Sequence, residues 1–127
     1  MSERPEAADV RAGDIWQSIL LPDPQGRNAK SRPFVVVGLQ DGVARCVAVT
    51  GTLVPTEPAS RYVPLPWAAD GRARTGLKKE CWAYLGWVRL LERSDLDFKR
   101  GYCPPEPAAA IAAGLEATDE DDPDAPG

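Results

Sequence analysis

Residues 33–49 read PFVVVGLQDGVARCVAV, two apolar runs rich in β-branched side chains on either side of Gln40, Asp41 and Gly42. Each run is too short for a typical helix and suits a buried strand. Asp-Gly tolerates the positive backbone angles of a tight hairpin, so Pro33–Leu39 and Val43–Val49 are predicted to pair antiparallel. With a buried central hairpin, the chain is committed to a β architecture whose other segments must cover it.

Those segments are legible. Asp14–Leu21 (DIWQSILL) is bulky and β-prone, and the PDPQGRNAKS that follows is a Pro/Gly/Asn-rich loop. A loop holding Pro55 and Pro58 leads to a short strand, Arg61–Leu65, which Pro64 and Pro66 mark as an edge or a strand end. WAADGRARTGLKKE reads as a second long loop, and Cys81–Leu91 resumes the strand pattern with Gly86 as a candidate bulge. Ser94–Lys99 is expected to form a short helical turn capped by Ser94. Pro105, Glu106 and Pro107 suit the first turn of a helix, and Ala108, Ile111, Ala112 and Leu115 give it a narrow apolar face. The expected fold is therefore mainly β: five or six short strands in a small, partly open barrel with a C-terminal helix. At 127 residues and 43% hydrophobic content, one domain can bury roughly two-thirds of its unfolded surface.

Charge divides the chain into three. The formal net charge is -4, but residues 1–9 carry Glu3, Glu6 and Asp9 against Arg4, and residues 116–127 carry six acidic side chains and no basic one. The body, residues 10–115, therefore carries a net +4. Both ends are expected to be disordered, because too little apolar surface offsets their ordering entropy. The acidic tail is expected to serve solubility; folding back over a basic surface, in competition with a polyanion, is the sharper alternative.

There is no histidine, which removes Ser/His/Asp and Cys/His nucleophilic machinery and any imidazole metal site. Cys46, Cys81 and Cys103 are odd in number and widely spaced, as expected of reduced, buried thiols in a cytoplasmic protein. No apolar run approaches the roughly 20 residues that span a bilayer, so no membrane association is expected. No motif implies a metal or cofactor.

The candidate chemistry lies at the open end of the hairpin. Counting across the Gln-Asp-Gly turn brings Arg32, with Ser31 beside it, next to Thr50. A guanidinium keeps its charge, clamps phosphate oxygens with parallel N–H donors and stabilises charge developing in a transition state; a hydroxyl adds a neutral donor. Such a pair suits phosphodiester chemistry without histidine, above all on RNA, whose own 2′-hydroxyl is a nucleophile. By residue type alone, a surface arginine and a strand-end threonine are the better description.

The ordered set GDIW, a Gly-containing loop, SRPFVVV, VAVTG and CWAYLGWVRLLERSDL resembles the MazF/PemK family of type II toxin–antitoxin endoribonucleases. The resemblance spans about Arg11 to Leu115. It implies an SH3-like barrel, a homodimer, and metal-independent cleavage of single-stranded RNA leaving a 2′,3′-cyclic phosphate. It also implies a cognate acidic antitoxin, with DNA binding only through the antitoxin complex. The family's catalytic arginine, in its RP motif, falls on Arg32, and its catalytic threonine on Thr50. Two stretches depart from the family pattern. Gly26, Arg27, Asn28 and Ala29 stand where the family loop often reads Gly-Ser-Glu-Gln, and Trp87, Val88 and Arg89 stand for Gln-Ile-Arg. Arg27, Asn28 and Lys30 are candidate phosphate contacts, and Trp16, Trp67, Trp82 and Trp87 candidate stacking platforms for bases. For the loop cations a solvated segment is an equal alternative, and for the tryptophans core or dimer packing is the better one. Lys78, Lys79, Arg72 and Arg74 read as exposed charge. The competing function is a non-catalytic SH3-like barrel that binds RNA or a protein segment.

Overall fold

The computed structural model describes residues 9–22, 26–53, 55–56 and 58–121, the side chains of 118–121 excepted. Six strands follow in chain order: β1 (Asp14–Ser18), β2 (Pro33–Gln40), β3 (Val43–Thr50), β4 (Tyr62–Leu65), β5 (Cys81–Leu91) and β6 (Leu96–Tyr102). One helix, α1 (Pro105–Asp121), closes the described chain. Every pairing is antiparallel, and the sheet order β4-β5-β3-β2-β1-β6 leaves it open, as the partly open barrel expected from sequence requires.

The hairpin forms as its composition dictates. Asp41 and Gly42 have φ of 55° and 80°, the positive pair of a two-residue turn whose twist matches the strands. Gln40 pairs with Val43 beside the turn, but the register shifts between Val36 and Gly38, where Val37 is an extra residue. A second irregularity lies in β5. Val47 pairs with Val88 and the adjacent Ala48 with Tyr84, so Leu85, Gly86 and Trp87 form the bulge that Gly86 signalled.

Alternating residues of the strands feed two apolar clusters. Ile15, Val35, Val47, Leu85 and Leu65 lie on one side with Ile111 and Leu115 of α1, and Trp16, Phe34, Val36, Cys46 and Leu91 on the other. The helix docks through Ile111 and Leu115, both buried, while Ala112 of the expected apolar face stays exposed. Gly114 lets it approach, since a Cβ there would fall on Leu85 Cδ1.

Three boundaries differ from expectation. β1 stops at Ser18, whose hydroxyl donates to the Ile19 carbonyl, and Ile19 and Leu20 are exposed. Ser94 does not cap a turn running to Lys99. A single 3-10 turn, Arg93–Asp95, is capped by Glu92, with Asp95 accepting from the Glu92 N–H at 2.9 Å, and β6 then pairs with β1. Long-range pairing overrides the local turn signal there. α1 continues past Leu115 to Asp121, because no Gly or Pro interrupts the chain between Gly114 and Pro123, so the acidic stretch begins inside the helix. Residues 1–8 and 122–127, also expected to be disordered, lie outside the described residues.

The loop before β5 is anchored rather than free. Thr75 is fully buried; its hydroxyl donates to the Pro66 carbonyl at 2.7 Å and accepts from the Leu77 N–H at 3.1 Å. The loop then lies directly on β6, with the Tyr102 N–H donating to the Arg74 carbonyl at 2.8 Å. Only glycine permits that approach: a Cβ on Gly101 would strike the Arg74 carbonyl oxygen and the Thr75 backbone, and one on Gly76 the Arg100 carbonyl. Gly101→Ala is expected to destabilise the fold by about 2 kcal/mol or more, since backbone rather than a flexible side chain must move. A urea melt checks this; a midpoint equal to wild type would show that the loop shifts freely.

Candidate active site

Arg32 directly precedes β2, and Thr50 ends β3. The pairing of Phe34 with Ala48 and Val35 with Val47, continued two residues outward, sets Arg32 opposite Thr50; the count across the turn expects them as near neighbours, and the extra residue at Val37 makes them partners. The start of β2 is tied to β1 by reciprocal bonds: the Ser18 N–H donates to the Arg32 carbonyl at 2.8 Å, and the Arg32 N–H to Ser18 Oγ at 3.0 Å. Thr50 Oγ1 accepts from the Thr52 N–H at 3.2 Å and faces the Thr52 carbonyl at 3.1 Å, a local turn that fixes the oxygen's position.

Both residues line a cleft of about 630 Å³, together with Lys30, Ser31, Lys78, Lys79, Trp87 and Arg100. Among the described residues, five of its lining side chains are basic and none is acidic. The Arg32 guanidinium lies over the Trp87 ring, with Cζ 4.9 Å from the ring centroid, and donates through Nη1 to the Leu21 carbonyl at 3.3 Å. Arg100 Nη1 donates to Gln17 Oε1 at 2.9 Å and Nη2 to the Gly76 carbonyl at 2.8 Å. Gln17 Nε2 in turn donates to Ser31 Oγ at 2.7 Å, and Ser31 Oγ donates to the Ser18 carbonyl at 2.5 Å. The arginines of the cleft are thus held by neutral partners, so their charge stays available to an anion.

The structure brings together most of the residues singled out from sequence. Arg32, Thr50, Ser31, Lys30 and Trp87 share the cleft; Arg27 and Asn28 are exposed outside its lining. The Ser31 hydroxyl is engaged as both donor and acceptor, which fits positioning. Lys78 and Lys79 are exposed, as expected, but they line the cleft; Arg72, beside Asp70 at 3.7 Å, and Arg74 do not. Of the other tryptophans, Trp16 is buried under Arg93, Trp82 half-buried and Trp67 exposed, and none of the three lines the cleft. Arg100 escaped the sequence reading. Its only signal is an arginine before a glycine in FKRGY, and its place depends on the loop meeting β6.

Cys81 also lines the cleft, but burial pushes its thiol up, against the opposing pull of Arg100 and Lys79. Burial likewise pushes Cys46 up to about 12 and Cys103 up to about 11. None supplies a thiolate nucleophile near neutral pH. Among the described residues, no three Cys, Asp or Glu side chains come together in a way that could hold a metal ion.

No protein-family model matches the sequence, and no curated protein does. Solved structures do. An endoribonuclease in complex with its cognate antitoxin, from a mycobacterial species, superposes with a TM-score of 0.59 at 15% identity, covering 84% of this chain and 91% of that one. The chain has the fold of the MazF toxins. Deinococcus radiodurans MazF gives a TM-score of 0.58 at 19% identity, covering 84% and 92%, and Mycobacterium tuberculosis toxin MazF-mt6 gives 0.57 at 14%, covering 83% and 96%. The MazF-like fold therefore extends over nearly the whole of those proteins.

Because all three thiols are buried and raised, their reactivity toward a disulfide reagent at pH 8 is expected to be slow in the native protein and to increase with pH. Unfolding should release three fast-reacting thiols. A rapid native phase at pH 8 would show a thiol more acidic or more accessible than the structure places it.

Proposed function

We propose that this chain is the toxin of a type II toxin–antitoxin system, an endoribonuclease that cleaves single-stranded mRNA in the cytoplasm without a metal. What carries the reading is the cleft: Arg32 opposite Thr50 across a fixed hairpin, three lysines and a second arginine around them, and, among the described residues, no carboxylate in the lining. A surface of that kind selects a polyanion. The MazF-like fold supports the same reaction class.

The RNA's 2′-oxygen attacks the adjacent phosphorus, the P–O5′ bond breaks, and a 2′,3′-cyclic phosphate and a 5′-hydroxyl result. The net proton passes from the 2′-oxygen to the departing 5′-oxygen. Arg32 presents N–H donors to the non-bridging oxygens, where charge accumulates in the pentacovalent transition state. Thr50 adds a donor when its O–H turns from the Thr52 carbonyl to the phosphate. Lys30, Lys78, Lys79 and Arg100 hold the flanking backbone, and Ser31 keeps the start of β2 in place. In this reading the protein acts as a homodimer, and an acidic segment of an antitoxin competes with RNA for the same cations. Support for such a partner comes from the fold's occurrence in MazE–MazF complexes.

The test is cleavage of a mixed-sequence RNA in EDTA. Wild type should leave cyclic-phosphate ends, and Arg32→Ala and Thr50→Ala should each lower the rate by about 10²-fold, the typical effect of removing a transition-state donor. RNA bound but left intact by wild type would instead identify a non-catalytic binding barrel. With no histidine in the chain, the cleavage rate should show no imidazole inflection between about pH 5 and 8. A bell centred in that range would require a titrating group outside this set.

A further inference from the structure

Trp87 stands among the lining residues of the cleft as a candidate for stacking RNA bases, yet its ring is already in use. Arg32 covers one face at 4.9 Å, and Phe34 meets it nearly edge-on, with centroids 6.2 Å apart and planes at 80°. The β5 bulge, Leu85–Trp87, is what sets the ring there, and Phe34, fully buried in β2, holds it from behind. The indole N–H is buried and finds no hydrogen-bond partner among the described residues. A buried donor without a partner is a cost to the fold, so a tryptophan is a poor choice for packing alone; phenylalanine would fill much of the space without it.

We infer that Trp87 is the positioning residue of Arg32: its indole face holds the guanidinium in a fixed plane so that the N–H edges point to the scissile phosphate. The inference rests on the endoribonuclease reading for its kinetic consequences. An arginine side chain has many rotamers, and in a solvated cleft only a fraction would be productive. A carboxylate partner would order it but would also neutralise the charge that catalysis needs. Among the described residues Arg32 has no such partner; an aromatic face and one carbonyl hold it instead. Stacking engages the face of the guanidinium and leaves its in-plane donors for phosphate. Tryptophan offers the strongest cation–π surface of the aromatic residues, which accounts for its use here despite the orphaned N–H.

The experiment compares Trp87→Leu and Trp87→Phe on an RNA oligonucleotide with one cleavage site mapped by the wild type. Losing the ring should lower kcat about 5- to 30-fold while KM stays within about 2-fold, because flanking contacts are untouched. Trp87→Phe should retain kcat within about 3-fold and melt at or above the wild-type temperature. Independently of cleavage, the Arg32 Nε–Hε resonance, assigned by its loss in Arg32→Lys, should carry a ring-current shift in wild type and Trp87→Phe that disappears in Trp87→Leu. Should Trp87→Leu fail to fold, Trp87→Met serves in its place. A change in KM alone would return Trp87 to base stacking, and an unmoved Arg32 resonance would overturn the platform outright. A wild type without cleavage activity would defeat the endoribonuclease reading, and the resonance would still decide whether Trp87 orders Arg32.

Discussion

The pairing register of β2 and β3 is the constraint on which the rest of the site depends. The positive-φ turn at Asp41 and Gly42 starts the register, and unmodified it would set Arg32 against Gly51. The extra residue at Val37 shifts the outer half by one, so that Arg32 meets Thr50. A slip of one residue also turns each side chain to the opposite face of a strand. Phe34 and Val36 would then exchange places with Val35, and both apolar clusters would be lost together with the juxtaposition of Arg32 and Thr50. Burial of those clusters consequently specifies the site geometry, and the folding energy of the core and the alignment of the polar pair are one and the same condition.

Electrostatics follow the same division. Two cations that meet carboxylates do so away from the cleft: Arg93 pairs with Asp9 at 2.9 Å, and Lys99 with the buried Asp14 at 3.2 Å. Within the cleft, Arg32 and Arg100 rest on an indole, an amide oxygen and backbone carbonyls. Neutral partners fix a guanidinium without quenching it, so the field in the cleft stays positive although the whole chain is net -4. The acidic residues that reverse the total are concentrated at the chain ends.

Features written in local sequence were legible. The β2–β3 hairpin, the β5 strand with its Gly86 bulge and the nearness of Arg32 to Thr50 all follow from runs, turns and counting. Features created by distant contacts were not. β6 hides because Leu96–Tyr102 (LDFKRGY) has little apolar alternation and exists as a strand through its pairing with β1. Arg100 belongs to the cleft only because Gly76 and Gly101 let a loop and a strand touch, and Lys78 and Lys79 reach it because buried Thr75 pins the same loop. Trp87 was visible as an aromatic near the site, but whether it faces a base or a guanidinium depends on a bulge whose length no spacing reveals.

That distinction bears on how the cleft is assembled. One wall, with Arg32 and Thr50, is built by residues near each other along the chain and forms whenever the hairpin does. The opposite wall needs the loop before β5 to settle on β6, through a backbone approach that tolerates no side chain at Gly101. The link between the walls is the run from Arg100 through Gln17 and Ser31 to the Ser18 carbonyl, which crosses from β6 over β1 to the start of β2. Ordering of Arg100 and ordering of the backbone beneath Arg32 are therefore coupled through one glutamine. A perturbation at the loop would reach the Arg32 wall through that chain, although the two arginines share no direct bond.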